Sequence, residues 1–74
     1  MADERIRVEV GFDGGQIMAA LVAPESADAL ERALSNGDET SFALDADDGR
    51  YVISLRRVVY VKRFTRESRV GFGA

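Results

Sequence analysis

Apolar and polar residues alternate without a break across residues 5–12. Ile6, Val8, Val10 and Phe12 take one face of an extended segment, and Arg5, Arg7, Glu9 and Gly11 take the other. A period of two is the signature of a strand with one face on a core and one in water. Asp13-Gly14-Gly15 follows. Asp-Gly favours a two-residue hairpin turn, whose central positions need positive φ. Residues 16–23 are then the return strand. Ile17, Ala19 and Leu21 continue the first strand's apolar face, while Met18, Ala20 and Val22 make the opposite face apolar as well.

Pro24 has no N–H to give to a ladder and ends that strand. Ser26 fits a helix N-cap, with Asp28 in the first turn. Ala27, Leu30, Ala33 and Leu34 recur at helical spacing on one face, and Glu31 and Arg32 lie off it. Asn36-Gly37 supplies a left-handed stop. A helix of about ten residues is marginal alone and must dock on a sheet.

Three more strands follow. Residues 40–44 put Phe42 and Leu44 on one face, Asp47-Asp48-Gly49 turns the chain, and residues 50–55 put Tyr51, Ile53 and Leu55 together. Residues 58–64 begin apolar on both faces, which predicts a central strand. Only Arg56-Arg57 separates the last two, so the chain turns tightly or bends there. The order β-β-α-β-β-β predicts an α+β domain: one five-stranded, mostly antiparallel sheet with a single short helix. One short helix cannot cover five strands. Either the sheet curls into a partial barrel, or a second copy covers its far face. Residues 1–64 form the globular domain, and the polar, Gly-rich residues 65–74 are expected to be a flexible or docking tail.

A chain of 74 residues makes one domain. At this size only about 60% of the unfolded chain's surface is buried, so small domains lean on disulfides, metals or partner subunits. There is no Cys and no His. Disulfides and thiolate metal sites are excluded, and the commonest metal ligand and general base is missing. Oligomerisation remains, with a homodimer favoured. No apolar run spans a membrane. The start, Met1-Ala2-Asp3-Glu4-Arg5, is charged where a secretory signal is apolar, and with zero Cys this points to the cytoplasm.

Gly11-Phe12-Asp13-Gly14-Gly15 is Gly-rich, but a phosphate loop needs a Lys and a following helix. Asp45-Ala46-Asp47-Asp48-Gly49 resembles a calcium loop only in part, because Arg56 stands where the bidentate Glu belongs. The serines have no His to activate them, and nothing sets Lys62, the only Lys, beside one. The expectation is a protein that is not an enzyme and takes no cofactor.

Charge is split along the chain. Residues 1–49 hold twelve acids and three bases, a formal −9; residues 50–74 hold seven bases and one acid, a formal +6. Arg56, Arg57, Lys62, Arg63, Arg66 and Arg69 are candidates to bind an acidic protein partner or, with Phe72 and the other aromatics stacking bases, a single-stranded nucleic acid. The pI near 4.8 counts against nucleic acid. Charge matching between neighbouring strands or subunits is the simpler reading. Along residues 58–64, alternation sends Lys62 and Arg63 to opposite faces.

Three segments carry a family likeness: Phe42-Ala43-Leu44-Asp45-Ala46-Asp47-Asp48-Gly49-Arg50, then Val59-Tyr60-Val61, then Ser68-Arg69-Val70-Gly71-Phe72-Gly73. Their order and content resemble the small actinobacterial proteins grouped as domain of unknown function 3107. The ending Arg-Val-Gly-Phe-Gly is the most specific part. The family strand runs from Tyr-Val into an acid and an aliphatic, where this chain has Lys62, Arg63 and Phe64. The resemblance implies a bacterial protein and a fold, with no established activity. The expected role is a non-catalytic, self-associating protein-interaction module, with single-stranded nucleic-acid binding as the alternative.

Overall fold

The computed structural model describes residues 4–64. The elements run β1 (Ile6–Phe12), β2 (Ile17–Val22), α1 (Pro24–Asn36), β3 (Ser41–Ala46), β4 (Gly49–Ser54) and β5 (Val58–Arg63). The element order is the expected one. The single five-stranded sheet is not. The strands form two antiparallel sheets, one ordered β2-β1-β5 and the other the β3–β4 hairpin. The cause lies between β4 and β5. Residues Leu55–Arg57 form a 3-10 turn that buries Leu55 and carries the chain out of the hairpin to pair with β1. Asp47 N–H bonds to Leu21 O at 3.0 Å, fastening the hairpin's tip to the outer edge of β2.

The first hairpin departs from the expected register. Its loop is the three-residue 3-10 turn Asp13–Gly15, closed by Phe12 N–H on Gln16 O at 2.8 Å. Gly14 and Gly15 take φ of 85° and 88°, a region that L side chains avoid. A two-residue Asp-Gly loop sets Val10 opposite Ile17. The extra residue sets Val10 opposite Met18, Val8 opposite Ala20 and Ile6 opposite Val22. A shift of one residue exchanges the two faces of a strand. Ala20 and Val22 therefore join the core, and Ile17 and Leu21 turn outward.

Helix α1 starts earlier than expected. Ala23 is the N-cap and Pro24 the first helical residue, so Ser26 lies inside the first turn. Proline suits that position because its missing N–H is one the first turn leaves unpaired anyway. The helix stops at Gly37, whose φ is 75° and whose N–H returns to Ala33 O. Ala27, Leu30 and Ala33 are buried against Val8, Val10 and Val22 from one sheet and Leu44 and Ile53 from the other. Full burial of a side chain such as Leu30 or Leu44 contributes about 1.5–3 kcal/mol. The core thus lies between the helix, the inner face of β2-β1-β5 and the inner face of the hairpin.

Among the described residues strand β5 is an edge strand, not a central one. A bulge explains why it reads as apolar on both faces. Gly11 pairs with Tyr60 but Phe12 pairs with Val58, so Val59 is an extra residue. Val58 and Val61 both reach the core despite their odd spacing, while Val59 and Tyr60 stay exposed.

Candidate interaction face

The outer face of β2-β1-β5 is a grid set by the register. Ile17, Gly11 and Tyr60 make one row, and Ala19, Glu9 and Lys62 the next. Leu21 and Arg7 begin a third, which Phe64 completes by donating its N–H to Arg7 O at 2.9 Å. Ile17 is 61% exposed, Leu21 47% and Tyr60 40%, large values for residues in regular strands. The helix and the second hairpin pack on the opposite face, and among the described residues nothing covers this one.

Two aromatic rings shape the grid. Tyr60 lies flat across Gly11. A Cβ at Gly11 would come within 2.6 Å of the ring's Cδ2 and Cζ. The Tyr60 hydroxyl donates to Glu9 Oε2 at 2.6 Å. That hydrogen bond, followed by partial burial and the nearby negative charge, raises the hydroxyl's pKa above its ordinary value. At the other end, the Phe64 ring is flanked by Arg7, 5.1 Å from its centroid, and Lys62, 4.5 Å away. Distances below about 6 Å suit cation–π attraction.

The bases singled out from sequence are dispersed. Arg63 turns to the inner side and donates to Asp28 Oδ1 at 2.8 Å and Glu31 Oε2 at 3.4 Å on α1. These contacts, led by the Asp28 hydrogen bond, raise its pKa further. Lys62 occupies the outer face, as alternation predicts. Arg57 reaches Asp13 in the first hairpin loop at 3.4 Å. Arg56 lines a shallow hollow with Leu34, Gly37 and Glu39. Arg66, Arg69 and Phe72 lie outside the described residues, as does the tail 65–74. The split in charge thus closes in part within the fold, since Arg50, Arg57 and Arg63 each meet an acid from the first 49 residues.

The acidic turn is spoken for in the same way. Asp45 faces Arg50 at 3.2 Å, Asp47 faces Arg5 at 2.8 Å, and Asp48 accepts from the Tyr51 hydroxyl at 2.7 Å, which raises that phenol's pKa. The three carboxylates do not converge. Among the described residues there is no group of three or more acids, His or Cys that could hold a metal. A hollow of about 240 Å³ beside Leu21 is lined by Arg7, Ala19, Ala20, Asp47 and Asp48, the last two already bonded to Arg5 and to the Tyr51 hydroxyl. No described helix is long and apolar enough to cross a membrane.

Two features of this face were not read from sequence: the outward turn of Ile17 and Leu21, and the Tyr60 lid on Gly11. The second left a trace in Gly11, the only glycine within an otherwise regular alternation, since a strand glycine often marks a close approach. No family model, curated protein or solved structure matches the chain.

Proposed function

We propose that this chain is a non-catalytic interaction module that self-associates and presents the outer face of β2-β1-β5 to a protein partner. One observation carries the reading: Ile17, Leu21, Val59 and Tyr60 are exposed on a sheet whose other face holds the helix and the second hairpin. A domain this small gains stability from covering such a surface. Arg7, Glu9 and Lys62 sit among the apolar groups and would give a contact its orientation. The resemblance to domain of unknown function 3107 fits a shared fold without a shared reaction. Light scattering on a gel-filtration column tests the reading. The mass should rise toward two protomers as the load increases, and a single-protomer mass at every load would sink it.

A second reading rests on Phe64 between Arg7 and Lys62, an arrangement that also suits stacking and phosphate contacts with single-stranded nucleic acid. Titration with single-stranded RNA at about 50 and about 200 mM salt decides it, because phosphate contacts weaken steeply over that range. No binding at the lower salt removes this reading.

A further inference from the structure

The sheet's two edges are finished differently. The outer edge of β2 is met by the hairpin tip, through Asp47 N–H on Leu21 O. The outer edge of β5 has no backbone partner among the described residues. The groups it presents follow from the ladder. Phe64 gives its N–H to Arg7, so Phe64 turns its backbone toward β1. Alternation in an antiparallel pair turns Lys62 and Tyr60 the same way and leaves the N–H and C=O of Val61 and Arg63 pointing outward.

We propose that a second copy of this chain pairs along this edge, β5 against β5, across a two-fold axis at Val61. The inference rests on the self-association reading above and names the surface that performs it. In this register the two Val61 residues exchange N–H and C=O. Lys62 of each copy then stands opposite Tyr60 of the other, on the outer face. Tyr60 is bonded to Glu9, so the incoming ammonium meets an aromatic ring beside a carboxylate. Sliding the axis to Lys62 would set two ammonium groups opposite each other, which cross-strand pairing penalises. The outward edge is therefore matched in charge to itself in one register and mismatched in the neighbouring one.

With the axis at Val61, Arg63 stands opposite Val59, so the bulge there limits regular pairing to residues 60–62. Bulges and an edge Lys are devices that blunt a free edge against pairing with other chains. Here they restrict the contact to a short ladder and make association concentration-dependent. The product is a six-stranded sheet with β2 at both ends. Ile17 and Leu21 remain uncovered on each copy and are left for the protein partner.

Amide exchange of the full chain, followed by NMR at about 20 and about 500 micromolar, tests the pairing. The Val61 amide should exchange roughly tenfold more slowly at the higher concentration, while Lys62 and Tyr60, bonded to β1, should be protected at both. Val61→Pro removes the outward N–H at an edge position where proline is tolerated. It should abolish the dimer and keep the circular dichroism spectrum, and Val61→Ala should keep the dimer. A dimer by sedimentation whose Val61 amide stays fast overturns the edge pairing and leaves self-association standing. A monomer at both concentrations overturns both. A Val61 amide that stays protected on dilution to the monomer overturns it too, since the edge is then covered within one chain.

Discussion

The ring of Tyr60 lies on the bare backbone of Gly11, and the Tyr60 hydroxyl reaches past it to Glu9. A strand glycine without a side chain leaves a gap in the face of a sheet. Here an aromatic from the neighbouring strand fills it, a pairing that also pins register. It ties the edge strand β5 to the central strand β1 next to the bulge, where the ladder is weakest.

Gly11→Ala should therefore destabilise the fold by about 1–3 kcal/mol through overpacking. Urea unfolding measures it. The penalty should shrink in a Tyr60→Ala background, giving a coupling of about 0.5–3 kcal/mol. Equal penalties in both backgrounds would mean that the ring does not constrain Gly11.

The pH dependence has a definite sign. Tyr60 and Tyr51 both have pKa values raised by hydrogen bonds to carboxylates, Glu9 and Asp48 respectively. A phenol raised in the folded state contributes stability that is fully present below its unfolded value, about 10, and is lost as pH rises through the folded value. Ultraviolet titration should show both phenols ionising above the ordinary tyrosine range, with the unfolding midpoint in urea falling over the same interval. Tyr60→Phe should remove one of the two late titrations. Two tyrosines that titrate at the ordinary value would contradict the hydrogen bonds.

How far the fold could be read from sequence turned on loop lengths. The alternation of residues 5–12, the order of six elements, the Gly37 stop and the opposite placement of Lys62 and Arg63 all follow from local chemistry. The face of β2 did not, because an Asp-Gly-Gly loop can close after two residues or three, and that single residue decides whether Ile17 and Leu21 are core or surface. The split into two sheets was hidden for a related reason. Leu55 looks like the last apolar residue of a strand, but it is buried by a 3-10 turn. The dispersal of the bases was half visible. Alternation separates Lys62 from Arg63, but pairing Arg63 with Asp28 and Glu31 requires knowing where α1 docks.

The helix is held chiefly by Leu30, which is fully buried. Leu30→Ala should cost about 2–5 kcal/mol. Because a single core of this size supplies only about 3–5 kcal/mol, the variant should keep about 3 kcal/mol at most and its melting midpoint by circular dichroism should fall sharply. A melting midpoint equal to the parent's would show that α1 contributes little to the core.

Arg63→Gln removes the charge that joins β5 to α1. The two ion pairs are partly exposed, 33% at Arg63 and 52% and 46% at Asp28 and Glu31. Pairs of this kind are worth about 0–1 kcal/mol, so the loss should be small and should diminish in high salt. A loss above about 2 kcal/mol would mean that Arg63 acts through packing of its stem as well as through charge.

Self-association is the central claim, and sedimentation equilibrium of the full chain is its most direct test. Over about 5 to about 500 micromolar, the weight-average mass should climb from near one protomer toward two and fit a monomer–dimer equilibrium. Val61→Pro should flatten that curve. A mass of 8.1 kDa at every concentration, with a folded spectrum, would contradict self-association outright.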